Sequence, residues 1–206
     1  MPKYGPFHTV PRLVMRRQVA LRMQRPTDNL RADHELTSVA ARILCAVAAA
    51  VRGGAVFPAH DCVTLLRFLR EFVLAVHMRK EDEFLCPAAA MRADDEDAAE
   101  IVGELMRLHE EISELTHSLV MFWEPDSDLT GAERCGFAET VDALAARLAR
   151  RHELEETRLF PICDAAVPAD DQLEWQERFD ELERERGDRS SWEVRIEKLA
   201  QSWLDD

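Results

Sequence analysis

Four stretches of the chain place apolar side chains three and four residues apart, the spacing that collects them on one face of an α-helix. The first opens at Asp28 or Asn29 as a candidate N-cap and runs to about Arg52. The second runs from near His60 to about Ala90 and carries Cys62, Leu66, Leu69, Val73, His77, Glu81, Phe84 and Ala88 on its stripe. The third, from about Glu96 to Trp123, carries Ala98, Val102, Leu105, His109, Ile112, Thr116, Leu119 and Trp123. The fourth, ending near Pro161, carries Phe137, Val141, Leu144, Leu148, His152, Glu156 and Leu159. Gly53-Gly54 with Pro58, an acidic connection at 92–97, and the turn at 125–131 separate them, with Thr130 as a cap for the last. Pro87 is expected to kink or end the second helix.

Four long amphipathic helices with short connections predict an all-α fold, an antiparallel up-down four-helix bundle over residues 29–165. Two further amphipathic segments follow in residues 166–206, separated by Gly187-Asp188. One bears Leu173, Gln176, Phe179 and Leu182, the other Trp192, Ile196, Leu199 and Trp203. Three of the four tryptophans lie in this extension, so it must bury against something. Capping the bundle is one expectation; a homodimer contact through these C-terminal helices is the other.

Charge divides the chain. The net charge is −14, yet residues 1–27 hold six Lys or Arg and no acid, which predicts a basic N-terminal arm over 1–28 and leaves about −20 on the rest. An acidic body argues against nucleic acid as a partner. No uninterrupted apolar run approaches the ~20 residues of a membrane span. The five cysteines are scattered and form no Cys-x-x-Cys pair, which disfavours a disulfide framework or a zinc ribbon and leaves the cytoplasm as the expected location.

The polar residues on the apolar stripes change the picture most. Each helix carries a histidine: His34, His77, His109 and His152. His34 to His109 is 75 residues, as are His77 to His152 and Glu81 to Glu156. Such an interval describes two helical hairpins related by a pseudo-two-fold axis. In antiparallel neighbours, residues at one level lie equally far from the turn. The midpoint of His34 and His77 falls between residues 55 and 56, that of His77 and His109 at Ala93, and that of His109 and His152 at Thr130-Gly131. All three lie in the breaks, so the four histidines belong to one core layer. Four imidazoles and two carboxylates are costly to bury as a purely proteinaceous network. Two iron ions resolve the cost; if both glutamates bridge, each ion has two nitrogen and two oxygen ligands from the protein. Manganese suits the same donors, whereas the absence of thiolates disfavours structural zinc.

With these residues in this order, the chain resembles the hemerythrin-like, or HHE cation-binding, domain family. His77-Met78-Arg79-Lys80-Glu81 through Pro87, His152 to Pro161 and Asp33-His34 match its motifs. The resemblance implies a non-haem di-iron centre with an oxo or hydroxo bridge, held by His34, His77, Glu81, His109, His152 and Glu156. The oxygen carriers of the family have a further histidine one turn after that of the third helix; this chain has Ser113 there. Ser38 and Ser113 are expected to stand beside the metals, where they could hydrogen-bond a bound oxygen species. An open site favours reaction with dioxygen or peroxide, with or without a small organic substrate, as an oxidase, oxygenase or peroxidase-like activity. The alternative is binding or sensing of oxygen, nitric oxide or iron without turnover.

Overall fold

A computed structural model describes residues 25–91, 96–122 and 129–204. Residues 1–24 of the expected basic arm, Trp123 and most of the two expected connections lie outside them. The described residues form helices and no strand. Helix α1 spans Pro26–Arg52, α2 spans residues 59–90, α3 spans Glu96–Leu119 and α4 spans residues 131–166; α5 (Ala169–Arg186) and α6 (Arg189–Trp203) follow. Each of the first four packs on the next, and α4 closes back on α1.

Helix α1 starts earlier than expected. Pro26 takes its first position, where a missing N–H costs nothing, and the Asp28 carboxylate accepts the Arg25 backbone N–H at 3.1 Å. Asp28 therefore serves the first turn from inside the helix, which begins at Pro26 rather than at residue 29. The α4 start is as expected: Thr130 Oγ1 accepts from Glu133 N–H, and the Glu133 carboxylate accepts from Thr130 N–H. By length and composition α1 could cross a bilayer, with mean hydropathy 1.4 over its most apolar window. That window is half buried inside the bundle, and α1 also contributes Asp33 and His34 to the interior.

The extension covers the bundle. Phe179 and Leu182 of α5 and Trp192, Ile196 and Leu199 of α6 are buried, and Trp203 donates its indole N–H to Asp61 at 2.9 Å. Gly187 joins the two helices at φ 149°, a left-handed conformation that favours glycine; a Cβ there would also lie 3.2 Å from the Trp192 indole nitrogen. Of the residues expected to anchor α5, Leu173 stays 61% exposed.

The core has two apolar halves. One is centred on Ile43, Leu44, Phe68, Phe72, Val141 and Trp192, the other on Leu30, Leu85, Leu105, Leu159, Phe160 and Phe179. Between them lies a layer of buried polar side chains: Asp33, His34, His77, Lys80, Glu81, Arg151 and Glu155. The chain thus interrupts its hydrophobic core at the level where the sequence places the histidines.

Candidate metal centre

Beside the polar layer α2 widens twice, over Leu69–His77 and over Glu81–Leu85, and α4 widens once, over Glu155–Leu159. In α2 the Cys86 N–H bonds the Glu81 carbonyl five residues back, and Glu81–Leu85 form a wide π-type turn. In α4 the Phe160 N–H bonds the Glu155 carbonyl, and Glu155–Leu159 form its counterpart. The turns at Glu81–Leu85 and Glu155–Leu159 lead into prolines, Pro87 and Pro161. Proline lacks an N–H and crowds the carbonyl four residues behind it, and a wide turn at that point relieves both. The expected kink at Pro87 is therefore absorbed as a bulge, and α2 continues to Ala90.

These turns set the carboxylates. His34, His77, Glu81 and Glu155 each offer a ligand atom, all within 4.8 Å of one another, and His34, His77 and His152 form an overlapping group. Glu81 and Glu155 are fully buried. His77 Nε2 lies 3.3 Å from Glu81 Oε1, and His34 Nε2 lies 2.9 Å from Glu155 Oε2. Neither contact is aligned as a hydrogen bond, so His34 Nε2, His77 Nε2, Glu81 Oε1 and Glu155 Oε2 are buried without a hydrogen-bond partner. Four unpartnered donor atoms facing one point are what a metal ion would satisfy. His152 stacks on His34 with ring centroids 3.9 Å apart.

The remaining oxygens of the two carboxylates face a buried cation. Arg151 Nη2 donates to Glu81 Oε2 at 2.6 Å, Arg151 Nε lies 2.5 Å from Glu155 Oε1, and Nη1 donates to the Leu105 carbonyl at 3.0 Å. Behind His77 a second network closes the layer. Asp33 Oδ2 is 3.3 Å from His77 Nδ1 and accepts from Lys80 Nζ at 3.0 Å. Lys80 also donates to Asn29 at 2.8 Å and to Glu183 of α5 at 2.7 Å, while Arg189 of α6 donates to Asp33 Oδ1 at 2.9 Å. The far nitrogen of His77 is thus engaged by a carboxylate, an arrangement that fixes the ring and leaves Nε2 for a ligand.

The layer holds its charges unequally. Burial disfavours a charged His34, but the Glu155 and Glu81 carboxylates and the Glu156 contact outweigh it and raise its pKa to about 9. Burial and the neighbouring charged His34 push His152 down to about 2, so it is neutral. Burial favours protonation of Glu155, yet Arg151 and His34 hold it far below the ordinary carboxylate range. Glu81 moves upward, through burial and the nearby Glu155 charge. Asp33 is held low against its burial by His77, Lys80 and Arg189. Burial lifts the nearby Cys86 thiol to about 12, which removes it as a thiolate ligand.

Of the six expected ligands, His34, His77, Glu81 and His152 come together. His109 does not join them: it is about a quarter exposed, with Nδ1 2.9 Å from Asp82 Oδ2. Glu156 has a side chain 46% exposed and contacts the outer nitrogen of His34 at 2.8 Å, so it braces the ring from outside the cluster. Ser38 and Ser113 are both exposed, and Ser113 faces away from the layer, because Ile112 and Thr116 take the inward positions of α3. Ser38 lines a cleft of about 430 Å³ whose wall also includes His152, with Thr37, Ala41, Cys45, Leu148 and Leu204 among its other lining residues.

The buried residues that the stripe did not reveal are Glu155, Arg151, Asp33 and Lys80. From Leu148 the helical spacing allows either Arg151 with Glu155 or His152 with Glu156 as the inward pair. Counting back from the prolines decides it: Glu81 is six residues before Pro87, and Glu155, not Glu156, is six before Pro161.

An imidazole and carboxylate cluster of this kind, in the polar layer of a helical core, defines a cation-binding bundle whose donors suit iron or manganese. A model of the hemerythrin HHE cation-binding domain matches residues 25–163, and the chain belongs to that family. No curated protein and no solved structure matches it.

Proposed function

We propose that the chain is a non-haem iron protein that reacts with dioxygen or peroxide, with His34, His77, Glu81 and Glu155 as the metal-holding residues and His152 beside them. One observation carries this reading: four buried donor atoms converge without hydrogen-bond partners beside an open, mostly apolar cleft with His152 in its wall. A bound iron supplies redox and Lewis-acid chemistry. The chain's own residues do the rest. The surrounding apolar halves exclude bulk water, Asp33 and Glu156 orient His77 and His34 through their outer nitrogens, and the cleft admits an oxidant or a small, largely apolar substrate. The expected bridging role of Glu156 passes to the buried Glu155. Manganese is compatible with the same donors.

The test is steady-state consumption of peroxide, or oxygen uptake, by protein loaded anaerobically with ferrous iron. Turnover that disappears in His77→Ala supports the reading. A loaded protein that forms a lasting adduct with oxygen or nitric oxide and never turns over contradicts it. A second reading, sensing, draws on the network behind His77: Glu183 and Arg189 tie α5 and α6 to Asp33, so metal at His77 could be felt in the extension. Iron-dependent protection of α5 and α6 amides from hydrogen exchange, without turnover, would favour it.

A further inference from the structure

The family resemblance implies two metal ions, but the polar layer has a protein cation where carboxylates would bridge to a second. Glu81 and Glu155 each turn one oxygen toward His34 and His77 and the other toward the Arg151 guanidinium. Arg151 is 1% exposed and is held on a third side by the Leu105 carbonyl, so it cannot swing into solvent without opening the layer. The histidine that α3 would give to a second ion is engaged by Asp82 instead.

The sequence gives a reason. Aligned on their prolines, the motifs of α2 and α4 are offset by 74 residues: Pro87 falls on Pro161, Leu85 on Leu159 and Glu81 on Glu155. The wide turns keep the same offset. In this register Arg151, not His152, falls on His77. The α4 copy thus carries arginine four residues before its buried glutamate, where the α2 copy carries histidine.

We infer that this chain binds a single metal ion, on His34, His77, Glu81 and Glu155 with His152 adjacent, and that Arg151 stands in place of the second ion. The guanidinium supplies fixed positive charge to the bridging oxygens and needs no loading. A second divalent ion beside it would have to share two carboxylates with both the first ion and a permanent cation in a layer closed to water, an electrostatically costly arrangement. The inference rests on the metal-binding reading above and adds its stoichiometry and the device that sets it.

Manganese loading tests both separately. Full-length protein is incubated with excess Mn²⁺ under anaerobic conditions and freed of unbound ion. Metal per chain is then measured by elemental analysis, and the electron paramagnetic resonance spectrum is recorded. About one ion per chain with an uncoupled six-line signal is expected. About two ions with a spin-coupled signal overturns the single-ion inference and leaves metal binding intact; no retained ion overturns the metal-binding reading beneath it and this inference with it. In Arg151→His the count is expected to rise to about two with a coupled spectrum. A folded variant that still holds one ion overturns the role given to Arg151. If the variant does not fold, the wild-type count still decides the inference.

Discussion

The two proline-terminated motifs look alike as sequence and differ as structure. In α2 the inward residues are His77, Lys80 and Glu81; in α4, at the matching positions, they are Arg151, Leu154 and Glu155. Both copies keep the buried glutamate and the wide turn after it. They exchange what stands around it. The α2 copy presents an imidazole to the cluster and places its cation, Lys80, behind it on Asp33 and Glu183. The α4 copy presents its cation to the cluster and has leucine behind. One motif position therefore carries an imidazole in one helix and a permanent charge in the other, and a repeat read by residue type alone misses the exchange.

The largest effect expected from this asymmetry is at Glu155. Glu155→Ala should abolish metal binding and cost about 3–5 kcal/mol of stability by chemical denaturation, because Arg151 keeps its charge in a closed layer and loses one of its two carboxylates. If Glu155→Ala costs under about 1 kcal/mol and still binds metal, Glu155 is not an inward ligand. Lys80→Leu gives α2 the residue of its α4 counterpart. It should destabilise by about 2–4 kcal/mol, less than Glu155→Ala because Arg189 still partners Asp33. A neutral outcome in a thermal melt would mean that the two sites behind the glutamates are interchangeable. His109→Ala should be the mildest, leaving metal affinity within a few-fold, because the side chain faces Asp82 rather than the cluster.

The histidine and carboxylate shifts set a pH profile for the metal-free protein. His34 is raised from 6.5 to about 9, so its contribution to stability is complete below pH 6.5 and is lost as pH rises through 9. Asp33 and Glu155 are shifted downward, so their contributions are present above pH 3.8 and 4.5 respectively and are lost on acidification. The upward shift of Glu81 opposes that acid loss in part. His152, shifted down from 6.5 to about 2, is kept neutral by the fold, so its contribution is lost as pH falls below 6.5. The melting temperature of the metal-free protein should therefore be highest near pH 6.5 and fall on either side. Metal binding acts in the other direction at His34, which must give up its proton to become a ligand, so affinity should rise with pH over the range 6.5–9. Calorimetric titrations in buffers of different ionisation enthalpy would show proton release at pH 7; no release would mean that His34 is already neutral.

Much of the fold was legible in the sequence, because three-and-four spacing and clear breaks define long helices whatever their interior contains. The level of the polar layer was legible too: the midpoints between the histidines locate it, and the apolar core divides there. What the stripe could not resolve was a choice of one residue. Arg151 with Glu155 and His152 with Glu156 are adjacent solutions to the same periodicity, and a histidine is a more familiar ligand than an arginine. The wide turn before Pro161 fixes the register, and its trace in the sequence is the distance to the proline rather than the period. The burial of Lys80 and Asp33 was illegible for another reason: Glu183 and Arg189, which complete their network, come from the extension, beyond the reach of any local pattern.

The proposed metal centre depends most directly on which glutamate of α4 faces inward. The decisive measurement is the iron or manganese content, and the affinity by calorimetric titration, of Glu155→Gln beside Glu156→Gln, two variants that remove one charge each from neighbouring positions. Glu156→Gln keeps an acceptor for the outer nitrogen of His34 and should bind metal stoichiometrically, with affinity lowered by at most about tenfold. Glu155→Gln should bind none. The reverse result, metal lost with Glu156 and kept without Glu155, would contradict the register of α4 and the place given to Arg151.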